Sequence, residues 1–433
     1  MSLTYYVLAA GIAALITFTL SIVILKLSQR YRLYSSSIRD RDVHTQPTPR
    51  LGGVAMFIGI LTAFWVSSQV TQFSLIFADP SRIIAILAAA LIIVLIGVAD
   101  DIWDLDWMTK LAGQLIAAGI LVWQGVQLLT IPIGGVTVVP PVLGLVLTVV
   151  AVVLVMNAVN FIDGLDGLVA GVVLIANVVF FIYSFIITDR TYQSEFFNLA
   201  SLISAILIGA CIGFLPVNWH PAKMFMGDAG ALLVGLLMAA SAVAVTGQVS
   251  TGSGISGRQL LPAFIPILLP LAVLVVPLLD FGLAVFRRLR AGKSPFSADR
   301  KHLHHRLLDM GHSHFHAVLI FYAWTAVVAV GFLMFLFVPP WWAVLLIVVG
   351  LAICSVFTLA PLSRRKALEV AAQRVGAAEA IQSRAERYDP LDAGALDDLD
   401  DDYSSQRVAA EAAVLRALDL QRRAPRPETK ESQ

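Results

Sequence analysis

Four short stretches of this 433-residue sequence concentrate side chains able to hold metals, phosphates or protons. Asp100, Asp101, Asp104 and Asp106 lie in VADDIWDLDWMTK, and Asn157, Asn160, Asp163 and Asp166 in NAVNFIDGLDGL. Asp228 lies in FMGDAG, and His302, His304 and His305 lie in DRKHLHHRL. Carboxylate and amide oxygens suit magnesium, which usually keeps several waters and is completed by substrate phosphates. Arginine, lysine and histidine suit the remaining phosphate charge, and Arg300, Lys301 and Arg306 flank the histidines. The combination reads as phosphoryl transfer. A zinc hydrolase is disfavoured, because HEXXH is absent and the histidines share a loop with no acid between them.

Each motif also has an ordinary structural reading. Asp100 and Asp101, being adjacent, would sit about 100° apart on a helix and so cannot both face one partner unless the helix ends there. The NxxNxxDGxDG element is more specific, since its glycines allow bends that aim Asn160, Asp163 and Asp166 into one space. Asp228, between Gly227 and Gly230, could simply cap a helix. Positive charge alone would account for Arg300 and Arg306, but it does not require histidine.

The elements that must position these groups are read from composition. Hydrophobic residues make up 58% and charged residues 14%, against about 45–50% and about 25% in soluble proteins. Lipid must therefore be the solvent for most of the chain. Eleven apolar stretches approach the ~20 residues of a membrane helix: 4–25, 51–70, 83–99, 108–124, 142–159, 167–187, 198–215, 229–247, 261–286, 316–338 and 341–360. The expected fold is all-α and polytopic. The first stretch lacks the marks of a cleaved signal and is expected to stay as an anchor. Outside the last 70 residues, fifteen of eighteen lysines and arginines fall near loops after the odd-numbered stretches, and only Arg82, Arg190 and Arg258 fall opposite. That asymmetry places the first set of loops in the cytoplasm, the N-terminus outside and the C-terminus inside. All the acid, amide and histidine motifs fall on the same cytoplasmic face, which lysine and arginine alone define. Asp280 lies inside the ninth stretch with Arg287 two turns on, a structural ion pair or a catalytic part.

Residues 127–141 alternate around Gly-Gly and read as a short external hairpin. Residues 363–433 form a charged cytoplasmic tail, partly helical or disordered, after a core of 1–362. The net charge of +1 argues against nucleic acid. Cys211 and Cys354 sit in apolar runs without metal or redox spacing.

The five segments TPRLGG at 48–53, VADDIWDLD, NAVNFIDGLDGLVAG, FMGDAGALLVG and SPFSADRKHLHHRL, in that order over residues 1 to about 362, resemble the polyprenyl-phosphate N-acetylhexosamine-1-phosphate transferases. The HLHH run is similar to the undecaprenyl-phosphate N-acetylglucosamine-1-phosphate branch. The branch that transfers phospho-MurNAc-pentapeptide usually shows three consecutive histidines. The resemblance implies transfer of N-acetylglucosamine 1-phosphate from UDP-N-acetylglucosamine to an undecaprenyl or decaprenyl phosphate, with UMP released, as the first membrane step of a cell-envelope polysaccharide such as lipopolysaccharide or arabinogalactan. It implies magnesium, with manganese as a substitute, held by Asn160, Asp228 and Asp101. It implies that Asp100 and Asp101 activate the lipid phosphate or support the metal, and that Arg50 and Lys110 contact phosphate. Asp166, with Asp163 in the same loop, would hydrogen-bond uracil; Phe225 would stack on it; and the loop of Arg300, His302, His304, His305 and Arg306 would meet the sugar-phosphate end. A homodimer is left open.

A phosphate monoester has its second pKa near 6, so the acceptor is largely ionised at neutral pH and needs little base. Direct in-line attack is the expected route, with a covalent aspartyl-phosphate as its rival. An ion-coupled transporter is the alternative from another class, but it would place acids near the bilayer midplane, often within inverted repeats; here they collect at one boundary.

Overall fold

The computed structural model describes residues 2–31, 48–132, 136–191, 195–246, 282, 285–290, 292, 307–308 and 310–359. Within them the chain is helical apart from one hairpin, because a lipid-facing backbone must satisfy its own hydrogen bonds. Helix α1 runs Leu3–Tyr31 and α2 Gly52–Ser68. After α2 a single 3-10 turn and a short α3 (Ser74–Phe77) bend away by 93°. Helix α4 (Ser81–Trp103) stops where Asp104 takes a left-handed φ of 53°, and α5 (Trp107–Trp123) starts at Asp106, whose carboxylate accepts the N–H groups of Met108 and Thr109. That cap reverses the chain within three residues.

Strands β1 (Thr130–Pro132) and β2 (Val136–Val138) pair antiparallel, Thr130 opposite Val138, as the alternating pattern predicts. Then follow α6 (Pro141–Phe161), α7 (Leu168–Thr191), α8 (Glu195–Asn218), α9 (Gly227–Thr246), α10 (His314–Met334) and α11 (Pro340–Leu359). Helices thus stand at ten of the eleven expected positions; the ninth, 261–286, lies outside the described residues except for 282, 285 and 286, and Asp280 and the tail lie wholly outside them. Eight of the helices are individually long and apolar enough to cross a membrane, or nine if the bent α2–α3 pair counts as one, and α5 has only 17 residues. The described helices therefore do not by themselves establish eleven crossings.

Helix α9 is the most enclosed of the spans and packs against α2, α4, α6 and α8. Small residues bring its N-terminal turn close to its neighbours: a Cβ on Gly53 would overlap the Gly230 backbone, and one on Gly97 would overlap Ala229. Helices α1 and α8 use the same device. Gly209 and Gly213, one helical turn apart, lie directly on the carbonyls of Ala10 and Ala14, the close approach that small-xxx-small spacing allows in lipid, where helices gain little from hydrophobic burial. Tyr6 adds a polar tie, donating to Asn198 Oδ1 at 2.9 Å. Gly209→Val should force α1 from α8 and lower the thermal unfolding temperature in detergent, an overpacking cost of about 1–3 kcal/mol. Gly119→Ala, which meets nothing within 4 Å, should leave it unchanged or slightly raised.

Candidate active site

The last turn of α4 and the first turn of α5 supply the first three groups. Asp100 is 1% exposed; its Oδ1 accepts the Leu105 N–H at 2.8 Å, and its Oδ2 lies 2.6 Å from Lys110 Nζ. The same ammonium is 3.4 Å from Asp228 Oδ2 in the first turn of α9. Lys110 is thus seated between carboxylates from two helices. Asp101 points elsewhere, as a rotation of about 100° requires. It accepts the Asp228 N–H and rests its buried Oδ2 against Gly227, whose φ of 71° marks the start of α9. Both acids sit in one helical turn, Asp100 meeting Lys110 and the Asp228 side chain and Asp101 the Asp228 backbone.

Arg50 is delivered by a backbone ladder. Phe225 N–H donates to Pro49 O at 2.9 Å, Gly52 N–H to Phe225 O at 3.1 Å and Gly53 N–H to Met226 O at 2.9 Å. This ties the TPRLGG segment to the segment preceding α9 and sets half-buried Phe225 beside it. The Arg50 charge then acts on both Asp101 and Asp163.

The end of α6 and the loop to α7 carry the next four predicted groups, which part company. Asn157 is taken up structurally, donating to Gln114 Oε1 at 2.5 Å and to Val153 O at 2.8 Å. Asn160, half-buried in the last turn of α6, has no side-chain hydrogen bond among the described residues. Burial, with the Asp228 charge, pushes the Asp163 carboxyl up to about 7, against the lowering effect of Arg50. Asp166 turns inward: its Oδ2 accepts the Ala222 N–H at 3.0 Å and faces His220 Nδ1 at 2.8 Å, while its own N–H donates to His314 Nε2 at 2.9 Å. Gly167, at φ 74°, is pinned by Asn218 Oδ1 on its N–H and by the Tyr322 hydroxyl on its carbonyl.

Sequence reasoning missed His220, His314, Asn218 and Tyr322. Only His220, a few residues ahead of FMGD, carried a positional hint. Asp166, His220 and His314 bring their ligand atoms within 4.8 Å of one another, but in this arrangement His314 Nε2 already accepts a backbone N–H. They form a hydrogen-bonded unit instead.

Asp100, Asp101, Asp163 and Asp228 face the cations Lys110 and Arg50, four negative charges against two if all ionise, so a divalent ion would balance them. Among the described residues Asp101 Oδ2 is buried without a hydrogen bond and the Asn160 amide makes none. The oxygen donors fit a hard cation. His302, His304, His305, Arg300 and Arg306 lie outside the described residues.

The glycosyl transferase family 4 pattern matches residues 83–246. The chain is 42% identical over 331 residues to a decaprenyl-phosphate N-acetylglucosaminephosphotransferase of Mycolicibacterium smegmatis, covering 76% of this chain and 81% of the relative. It is 28% identical to an undecaprenyl-phosphate alpha-N-acetylglucosaminyl 1-phosphate transferase of Yersinia pestis, covering 70% and 77%. A phospho-N-acetylmuramoyl-pentapeptide-transferase of Desulforudis audaxviator is 29% identical, over 54% of this chain and 75% of the relative.

The raised Asp163 carboxyl carries a pH signature. Its neutral form is favoured in the folded chain, so its contribution to stability is full below the ordinary value of 3.8 and is lost as pH rises to about 7. In chelator-containing detergent, Asp163→Asn should gain stability relative to the parent chain across that interval and hold the gain above it. Thermal unfolding of both proteins as a function of pH is the check, and parallel curves would refute the assigned shift.

Proposed function

This chain belongs to glycosyl transferase family 4, among the polyprenyl-phosphate N-acetylglucosamine-phosphate transferases, and from that membership we propose the reaction its site performs. It transfers N-acetylglucosamine 1-phosphate from UDP-N-acetylglucosamine to a polyprenyl phosphate, with UMP leaving. The observation that carries this reading is Lys110 held between Asp100 and Asp228, with Arg50 and Asp163 alongside, where the ends of several helices meet. Such a group of acids and cations suits a diphosphate and an attacking phosphate, both anionic. The higher identity to decaprenyl-phosphate N-acetylglucosaminephosphotransferase supports the N-acetylglucosamine branch over the muramoyl-pentapeptide one.

The residues divide the work by exposure. Asp100 is almost wholly enclosed and bonded to Lys110 and to the backbone, so it holds the ammonium in place. Lys110, a quarter exposed, faces the phosphates. Asn160, Asp228 and Asp101 would hold magnesium, which neutralises diphosphate charge when bound. Because the acceptor is already mostly ionised near neutral pH, alignment and charge neutralisation are the chief requirements, and attack is direct and in line. The donor is water-soluble and the acceptor tail is not. The site therefore belongs at a membrane boundary, which we assign to the cytoplasmic face of the plasma membrane from the lysine and arginine asymmetry.

Purified protein should release UMP from UDP-N-acetylglucosamine only when polyprenyl phosphate is present. UDP-MurNAc-pentapeptide, run in parallel, should be a poor donor. Chelation should stop the reaction and magnesium or manganese restore it. Lys110→Met should lower kcat by roughly 10²–10³ while the protein still folds. Preference for the pentapeptide donor, or UMP release independent of lipid, would reject the assignment. Rapid quench should trap no phosphorylated aspartate; one that vanishes in Asp100→Asn would establish the covalent route.

A further inference from the structure

The unit of Asp166, His220 and His314 has a direction built into it. A carboxylate only accepts hydrogen bonds, so His220 donates to Asp166 Oδ2 through Nδ1, and its Nε2 is the remaining ring nitrogen. Among the described residues that nitrogen has no partner. The Asp166 side chain is 0% exposed, whereas that of His220 is 45% exposed. His314 accepts the Asp166 N–H through Nε2, which makes it the neutral Nδ1–H form. Its ring lies parallel to His220, 4.4 Å away at 17°. Partly exposed Trp219 and Phe315 stand edge to face at 6.1 Å next to the pair in sequence. The outcome is a group of planar rings at the protein surface with one hydrogen-bonding edge available.

The unit adjoins the phosphate-binding cluster: Asp166 lies three residues after Asp163 in one loop, and Ala222, whose N–H it accepts at 3.0 Å, lies three residues before Phe225, whose N–H donates to Pro49 O beside Arg50. A nucleoside joined to the bound diphosphate extends from that cluster. A flat base with carbonyl and N–H edges matches both the rings and the imidazole, as bases elsewhere stack on aromatic side chains.

We propose that His220, rather than Asp166, is the side chain that meets the uridine half of the donor, with Asp166 and His314 as positioning residues that fix its ring. This rests on the N-acetylglucosamine-1-phosphate transferase reading and deepens it. The role that the resemblance implied for Asp166 passes in this chain to the histidine it holds.

UMP-release kinetics on the full-length protein, with each substrate varied separately, test the assignment. His220→Ala should raise the donor KM roughly three- to tenfold, the effect of one hydrogen bond, with kcat and the lipid KM within about twofold. Inhibition by UMP should weaken by the same factor and that by N-acetylglucosamine 1-phosphate should not change. His314→Leu, which removes the acceptor for the Asp166 N–H, should shift the donor KM in the same direction, and His314→Gln should restore it. If His220→Ala folds poorly, His220→Gln is read by the same comparison. A parent protein without lipid-dependent UMP release sinks the functional reading. An active parent with an unchanged donor KM in the His220 variant, a loss confined to kcat, or unaltered UMP inhibition overturns this inference alone.

Discussion

The site depends on one ammonium group. Lys110 Nζ lies between Asp100 and Asp228, joining α4, α5 and α9 at a point where none of the three charges could be left alone without cost. An unpaired carboxylate as enclosed as Asp100 would neutralise or disrupt packing. The ion pair therefore ties the ends of three helices together and gathers two acids and a cation in one place.

That arrangement needs close helix contact, and the packing supplies it through glycine. Gly53, Gly97 and Gly230 let α2 and α4 approach the first turn of α9, so Asp101 can reach the Asp228 N–H across the interface. With no large hydrophobic gain from association inside lipid, such contacts rely on fit and on polar groups satisfying one another. The DGLDG turn follows the same logic. Its backbone is held by Asn218 from α8 and by His314 and Tyr322 from α10, so a bend at the membrane boundary leaves few groups without a partner.

The placement of the acids also separates the enzyme from a transporter. Ion-coupled carriers keep ionisable residues near the middle of the bilayer. In this chain Asp100, Asp101, Asp163 and Asp228 occupy helix ends or the loop between helices. A boundary location gives a soluble nucleotide sugar and a lipid headgroup access to one site.

Within the described residues, the sequence alone was enough to place ten helices and the hairpin, and it grouped the acids, amides and cations from which a chemistry can be proposed. Apolar length dictates helix in lipid because the backbone has no other partner, and oxygen donors beside cations indicate phosphate and a hard metal whatever their exact arrangement. It could not assign partners. Asp100 and Asp101 look equivalent in the chain, yet a turn of about 100° sends one to Lys110 and the Asp228 side chain and the other to the Asp228 N–H. Asp163 and Asp166 sit three residues apart in one loop, and only packing shows the second to be enclosed behind His220. Neither His220 nor His314 formed part of a recognisable spacing, because the unit they complete joins three separate connections. Hydrophobic pattern is a property of neighbours along the chain; which polar groups share a buried space is decided by how the helices meet.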